Sequence, residues 1–132
     1  EETCLISQRD IVRNLIHPNI VEFGDHFLKA DQYELRMAYY SNGSLDELLV
    51  YINHAAMLAR VCRIGIYFVL KALMYVQASG AVHRNLKLSN ILIDDSYGLR
   101  LSDFESSQVM SATEKAELTL PRSKDEISRR YV

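Results

Sequence analysis

The order of the predicted elements indicates an α+β fold. Two strand-like segments occupy the first third of the chain, a long helix with an apolar face lies near its middle, and a pair of short strands follows that helix. Helices and strands therefore come in runs and do not alternate regularly, as they would around a parallel sheet. The length of 132 residues fits one small domain or part of a larger one.

The first predicted elements are a helix and two strands. Apolar residues at helical spacing predict a helix over 5–16, and it should end before Pro18, because the residue preceding a proline is pushed out of helical angles. Apolar and aromatic residues predict strands over 20–27 and 33–40, with a polar turn at 29–32 between them.

Two helices are predicted next. Ser44 is a suitable N-cap for a helix over 45–52, and Gly80 should end a longer helix over 57–79. The longer helix has a broad apolar face. Its members are Leu58, Val61, Gly65, Val69, Ala72, Leu73 and Val76.

The last part of the chain is predicted to be a hairpin followed by a loop. Short apolar runs at 91–93 and 99–101 flank a polar turn that contains a glycine, which is typical of two paired strands. From Ser106 onward the residues are polar and periodicity is lost, so a mobile loop is expected.

Composition excludes several classes of protein. Apolar residues make up 48% and charged residues 24%, and the formal net charge is −2, so nothing indicates a nucleic acid or an anionic membrane as partner. The longest apolar stretch, 61–82, carries Arg63 and Lys71, and is therefore predicted to be a buried helix and not a membrane span. Cys4 and Cys62 have no metal-ligand spacing; we expect buried or half-buried thiols in a reducing, cytoplasmic setting.

One stretch carries the functional information. It runs His83-Arg84-Asn85-Leu86-Lys87-Leu88-Ser89-Asn90-Ile91-Leu92-Ile93 and is followed, after the predicted hairpin, by Asp103-Phe104-Glu105. This resembles the protein kinase family, whose catalytic loop reads H-R-D-x-K-x-x-N and is followed by D-F-G. Further matches in the family's order are His17-Pro18-Asn19-Ile20, Met37-Ala38-Tyr39-Tyr40 and Asn42-Gly43-Ser44-Leu45.

The resemblance implies a partial kinase fold. Residues 1–37 would be the remainder of the N-lobe with its C helix, 38–45 the hinge, 46–102 the first half of the C-lobe, and 103–132 the activation segment, ending before A-P-E. The family's Gly-rich phosphate loop and V-A-I-K lysine have no counterpart in the sequence. We therefore expect the chain to be a piece of a larger domain.

The resemblance also assigns catalytic and metal-binding positions. Asn85 stands where the family has the aspartate that accepts the substrate proton, and a neutral amide cannot do so. Lys87 matches the lysine that steadies the transferred phosphoryl group, and Arg84 the arginine that clasps a phosphorylated activation loop. Asn90 and Asp103 match the metal-binding pair and offer oxygen ligands suited to Mg²⁺.

Nucleotide-binding positions follow in the same way. Met37 would be the gatekeeper, and Ala38 and Tyr40 would offer hinge backbone groups to adenine, while Leu45 and Leu92 would enclose the ring. Two further positions depart from the family: Gln8 falls where the C-helix glutamate pairs with the strand lysine, and Glu105 replaces the glycine of D-F-G. The remaining matches would form a stack between the lobes, made of Val12, Phe23, His83 and Phe104.

Two functions remain open at this stage. Asn85, Glu105 and Gln8 favour a pseudokinase, a kinase-shaped binding or allosteric module. The retained Lys87 and the Asn90–Asp103 pair favour an active or weakly active Ser/Thr kinase that transfers the γ-phosphate of ATP to protein hydroxyls. The implied cofactors are ATP and Mg²⁺, with binding weak or lost. Where ATP binding is kept we expect it to depend on Mg²⁺, and the implied partners are proteins.

Overall fold

A computed structural model of the protein describes residues 11, 15–29 and 32–119. Within them the chain forms six short strands, three α-helices and one 3₁₀ turn. In chain order these are β1 (Phe23–Lys29), β2 (Gln32–Met37), α1 (Leu45–Val50), α2 (Ala55–Ala78), β3 (Ala81–Val82), the 3₁₀ turn (Leu88–Asn90), β4 (Ile91–Ile93), β5 (Leu99–Leu101), β6 (Gln108–Val109) and α3 (Ala112–Thr119). The helix predicted over 5–16 lies almost wholly outside the described residues, although Ile11 is helical.

The two predicted N-terminal strands exist, with shifted bounds. β1 and β2 pair antiparallel, from Phe23 opposite Met37 to Lys29 opposite Gln32. Ile20, predicted to belong to the first strand, instead forms a parallel bridge with Leu101 of β5. The start of the predicted strand thus pairs with β5 and not with β2. A local apolar pattern cannot show which strand a residue pairs with.

Both predicted central helices are confirmed. The backbone N–H of Ser44 donates to the Glu47 carboxylate at 3.0 Å, so the start of α1 is capped from within its first turn. α2 ends beside Gly80, whose φ of +79° is the left-handed conformation that a glycine adopts without strain. Of the predicted apolar face, Gly65, Ala72 and Val76 are buried, Val61, Val69 and Leu73 are half-buried, and Leu58 is exposed. The prediction of a buried helix over 61–82 is therefore wrong for part of its surface, where Ile66, Leu70 and Met74 are exposed.

The predicted hairpin is confirmed, and both of its strands have the predicted bounds. Ile91 lies opposite Leu101 and Ile93 opposite Leu99 in antiparallel register. Asp94 shapes the turn, because its carboxylate accepts the backbone N–H of Ser96 at 2.9 Å and that of Gly98 at 2.7 Å. This local side-chain to backbone bonding is what turn aspartates provide.

Two apolar clusters hold these elements together. The first joins α2 to β5 and to the segment that follows the β4–β5 hairpin. It consists of Ile11, Leu15, Ile20, Ala72, Val76, Ala81, Leu101 and Phe104. The second lies between α1 and the hairpin and consists of Leu45, Ile91, Ile93 and Leu99. Gly65 of α2 faces this cluster: a Cβ added there would make ordinary van der Waals contact with Leu45 at 3.4 Å and with Leu99 at 3.8 Å.

The prediction of a mobile loop from Ser106 onward is wrong for residues 106–119. β6 pairs with β3, Ala81 opposite Val109 and Val82 opposite Gln108. α3 then begins after Ser111, whose N–H donates to the Glu114 carboxylate at 2.7 Å while the Glu114 N–H donates to the Ser111 hydroxyl at 3.2 Å. This reciprocal cap stabilises a helix that periodicity alone did not indicate.

Two smaller expectations concern exposure. Cys62 is exposed, so the prediction of a buried or half-buried thiol is wrong for this residue, and Cys4 lies outside the described residues. Cys62 borders an open apolar groove beside α2 and does not enter either cluster. Across the described ranges, no helix combines the length and the apolar character needed to cross a membrane.

Candidate functional site

The catalytic-loop segment is anchored by His83, which is only 2% exposed. Its Nδ1 accepts the backbone N–H of Asn85 at 3.2 Å, and its Nε2–H donates to the Ser102 carbonyl at 2.9 Å. The ring also packs edge-on against Phe104, with centroids 4.7 Å apart. An imidazole that accepts at one nitrogen and donates at the other is neutral. It therefore ties the loop to the segment that carries Asp103.

The His83 ring gives the fold a pH dependence. Burial lowers the pKa of His83 below its ordinary value of 6.5, against the opposing effects of the Ser102 carbonyl and the Asp103 charge. Because the folded-state pKa is depressed, the stabilisation is present above the unfolded pKa and is lost as pH falls through the folded pKa. We expect the melting temperature of the complete domain to fall on acidification below about pH 6.5.

Thermal unfolding between neutral and mildly acid pH measures this effect, with His83→Gln as the test variant. His54→Gln serves as the matched control, because it makes the same chemical change at an exposed histidine just before α2. The interpretation is contradicted if His83→Gln has the same acid sensitivity as the unmodified domain.

Three polar side chains converge at the centre of the site. Asn85 Nδ2 donates to Asp103 Oδ2 at 2.7 Å, and Asn90 Nδ2 donates to the same oxygen at 3.0 Å. Asn90 Nδ2 also donates to the Asn85 carbonyl at 2.9 Å. Ser102 fixes the backbone of Asn90, because its N–H and its hydroxyl both donate to the Asn90 carbonyl. The structure thus brings together three of the residues that the sequence singled out.

The strained backbone on both sides of this centre is also held in place. Asp103 has a φ of +60° and Arg84 a φ of +67°, which are uncommon for residues with a Cβ. Such angles persist only where surrounding contacts impose them. The hydrogen bonds from the Asn85 and Asn90 side-chain amides to Asp103, and the contacts of His83, impose these angles.

The other predicted catalytic residues have different surroundings. Arg84 is exposed and its guanidinium donates to the Gln108 side chain, so it is bound to β6. Lys87 is exposed at the start of the 3₁₀ turn, beside the apolar groove. Glu105 is exposed as well, next to Asp103. Neither Arg84 nor Lys87 contacts the Asp103 carboxylate, which accepts the side-chain N–H groups of Asn85 and Asn90.

The donor set around Asp103 does not fit a divalent cation in this geometry. Mg²⁺ demands near-octahedral oxygen ligands. Asp103 is the one carboxylate of the trio, and its Oδ2 already accepts two N–H bonds. In the part of the chain that the structure describes, no group of three or more His, Cys, Asp or Glu side chains could hold a metal ion.

The segment predicted to be the hinge holds some of its own backbone groups. The Ala38 N–H donates to the Glu22 carbonyl at 2.9 Å, and the Tyr40 carbonyl accepts the Gly43 N–H at 3.4 Å, so the role of Ala38 and Tyr40 toward adenine stays a prediction. The Tyr40 hydroxyl accepts the Glu22 N–H at 3.1 Å and so contacts the residue before β1. Met37, the predicted gatekeeper, is half exposed at 50%.

Leu45 and Leu92 occupy unlike positions. Leu45 is 4% exposed and belongs to the second apolar cluster, so it has almost no surface left for a ring to contact. Leu92 is half-buried, and its backbone forms an antiparallel bridge with Ser44. β4 therefore connects two parts of the candidate site, because Asn90 immediately precedes this strand and Ser44 pairs with it.

Three of the four stack residues contact one another. Phe104 packs edge-on against His83 and also against Phe23, with centroids 5.7 Å apart in the second pair. Val12 lies outside the described residues, as does Gln8, so their predicted roles stay predictions. The stack joins the strand pair to the catalytic-loop segment.

Sequence reasoning missed an ionic link behind the hinge. Arg100 Nε contacts Asp94 at 2.9 Å and its Nη1 contacts Glu22 at 3.2 Å, with the guanidinium 5.7 Å from the Tyr40 ring. Burial opposes the charge of Arg100, yet its contacts with Asp94, Tyr40 and Glu22 raise its pKa. Burial likewise opposes the charge of Asp94, but the Arg100 guanidinium and the backbone N–H groups of Gly98 and Ser96 lower its pKa. The opposite charges of Asp94 and Arg100 on the two sides of the hairpin turn were the available signal, but the partner at Glu22 is distant in sequence.

Comparison with known proteins agrees with the family resemblance of the sequence. The family model described as protein kinase domain matches residues 1–132. The chain is 30% identical over 88% of its length to the cell cycle serine/threonine-protein kinase CDC5/MSD2 of Saccharomyces cerevisiae, and 31% identical over 84% to the serine/threonine-protein kinase dst2 of Dictyostelium discoideum. It is 35% identical over 76% to the serine/threonine-protein kinase PAK mbt of Drosophila melanogaster.

The chain spans 16%, 10% and 15% of the lengths of these three relatives, in that order. The match therefore concerns one part of each relative. The chain belongs to the protein kinase family.

Proposed function

We propose that the domain containing this chain is a pseudokinase, which binds protein partners and adenine nucleotide without efficient phosphoryl transfer. The observation that carries the proposal is the direction of the Asn85 side chain, whose Nδ2–H donates to Asp103. A proton acceptor is needed at this position, and the group there is a donor already engaged. General-base assistance contributes about 10²–10⁴ in rate, so its loss is a large defect.

The remaining features of the proposal come from the family. Protein kinases generally use ATP and Mg²⁺, and their partners are proteins. The boundaries at 1–37, 38–45, 46–102 and 103–132 are proposed as N-lobe, hinge, C-lobe and activation segment. The proposed setting is cytoplasmic, either free or as the cytoplasmic part of a larger protein.

A weakly active Ser/Thr kinase is the second candidate. The relatives named above are serine/threonine kinases, and Lys87, Asn90 and Asp103 are retained. Phosphoryl transfer depends mainly on positioning and charge stabilisation, so loss of the base alone need not abolish it.

Transfer of radiolabelled phosphate from ATP separates the two candidates. The complete domain is incubated with a generic Ser/Thr substrate, and Asp103→Ala serves as the control for contaminating kinases. We expect the unmodified domain to transfer no more label than the control. Robust transfer above that control would overturn the pseudokinase proposal in favour of the second candidate.

Nucleotide binding is expected to survive in weakened form. The hinge contacts to adenine would use backbone groups, which do not depend on the residues that have changed. We expect millimolar ATP to raise the melting temperature of the complete domain, by mass action on the folded state. The absence of any shift in a thermal titration would contradict nucleotide binding.

A further inference from the structure

The three polar side chains at the centre of the site satisfy one another. Asp103 Oδ2 accepts Asn85 Nδ2 at 2.7 Å and Asn90 Nδ2 at 3.0 Å. Asn90 is 6% exposed, and the other two are half-buried. Among the described residues, no buried side-chain nitrogen or oxygen lacks a hydrogen-bond partner. A cation is thus not needed to satisfy any buried atom there.

An asparagine at position 85 attracts the Asp103 carboxylate, whereas an aspartate there would repel it. Two carboxylates at a contact of 2.7 Å would repel each other and would need a proton or a cation between them. An amide N–H at the same place attracts the carboxylate, and a hydrogen bond to a charged acceptor is among the stronger ones. The residue that removes the base therefore also supplies a fixed positive dipole.

Neither amide can easily turn its oxygen inward. Asn90 Nδ2 is held by the Asn85 carbonyl at 2.9 Å in addition to Asp103. Turning Asn85 would place its amide oxygen against the Asp103 oxygen, replacing an attractive contact by a repulsive one. The arrangement is therefore built into the fold before any ligand arrives.

We propose that the Asn85 amide takes the place of a divalent cation beside Asp103, so that the domain binds adenine nucleotide without a requirement for Mg²⁺. This replaces the Mg²⁺ dependence that the sequence led us to expect. The inference rests on the proposed pseudokinase function, because efficient phosphoryl transfer would need the cation.

Thermal unfolding with the metal alone provides the first test. The complete domain is melted without nucleotide in chelator, in millimolar Mg²⁺ and in millimolar Mn²⁺, at constant ionic strength. We expect the melting temperature of the unmodified domain to be the same in all three to within about 1 °C. Asn85→Asp should be less stable in chelator and should regain several degrees with either cation, roughly 3 °C or more, because the cation binds only the folded pair of carboxylates.

Asn53→Asp is the matched control, since it makes the same chemical change at an exposed position between α1 and α2. Its response to the cations should equal that of the unmodified domain. Asn85→Ala decides the question if Asn85→Asp fails to fold. It removes the donor without adding charge, and it should show a cation response larger than that of the unmodified domain.

Nucleotide affinity provides the second test. Binding of a fluorescent ATP analogue is measured in chelator and in Mg²⁺. The unmodified domain should show dissociation constants within about twofold of each other, whereas Asn85→Asp should bind at least about tenfold tighter with Mg²⁺. Equal cation responses in the unmodified domain and in both Asn85 variants would overturn the proposal. No readout here involves transfer, so its failure is distinct from failure of the pseudokinase assignment.

Discussion

Restoring aspartate at position 85 alone should leave phosphoryl transfer by the complete domain near background. Asn85→Asp returns a proton acceptor, but Glu105 still stands beside Asp103 in place of glycine, and Gln8 still cannot form the C-helix ion pair that the resemblance implies. Residues that act as a unit are far from additive, so repairing one member of the set recovers little. We expect measurable transfer only when Glu105→Gly and Gln8→Glu are added.

The series of single, double and triple variants is assayed with radiolabelled ATP and a generic Ser/Thr substrate. The triple variant should exceed the single one by about 10²-fold or more, which is the scale of base assistance acting in an intact site. Asp103→Ala in the triple background is the control and should return transfer to background. Strong rescue by Asn85→Asp alone would instead localise the whole defect to the base.

The 132-residue chain by itself should unfold without a sharp transition. α2 exposes large apolar side chains that belong to neither cluster, and an apolar groove of about 500 Å³ opens beside the helix. The exposed residues on α2 are Met57, Leu58, Ile64, Ile66, Tyr67, Leu70 and Met74. A contiguous apolar patch of this kind is a surface that folded proteins normally cover. In the complete domain, later helices of the C-lobe would do so.

Thermal circular dichroism and binding of a hydrophobic dye measure this on the isolated chain and on the complete domain. A sharp two-state transition in the isolated chain would contradict the expectation. Leu70→Lys sharpens the comparison, since Leu70 is 54% exposed here. The change should be neutral in the isolated chain and should cost about 2–4 kcal/mol in the complete domain, where the side chain would be buried.

The sequence predicted best where a local pattern and a terminator coincide. The hairpin has the predicted bounds because short apolar runs flank an aspartate and a glycine that together define the turn. α2 is within two residues of prediction at each end, since its apolar spacing is regular and Gly80 ends it. These features depend on neighbours along the chain, so they need no knowledge of the rest of the fold.

The sequence predicted least where the deciding contact is distant. β3 and β6 have two residues each, too few for any periodicity, and they exist only because residues 26 and 28 positions apart pair. The motif located Asn85 and Asp103, yet it could not show that the amide points its N–H at the carboxylate. Leu45 was assigned to a ligand surface on family grounds, and its sequence position alone could not show that it also belongs to the second apolar cluster.

The bonds that join residues 19–21 to the hairpin also set the order in which the chain can fold. Leu101 donates its N–H to the Asn19 carbonyl at 2.8 Å and accepts the Val21 N–H at 3.0 Å, and Asn19 Nδ2 reaches the Leu99 carbonyl across 80 positions of sequence. A ribosome must therefore synthesise the chain as far as β5 before the strand pair β1–β2 can be anchored. Until then Ile20 and Val21, each 1% exposed in the final structure, have no partner to bury them. Because long-range closure is slow compared with helix formation, α2 should form early, and docking of the N-terminal strands should be a late step of folding.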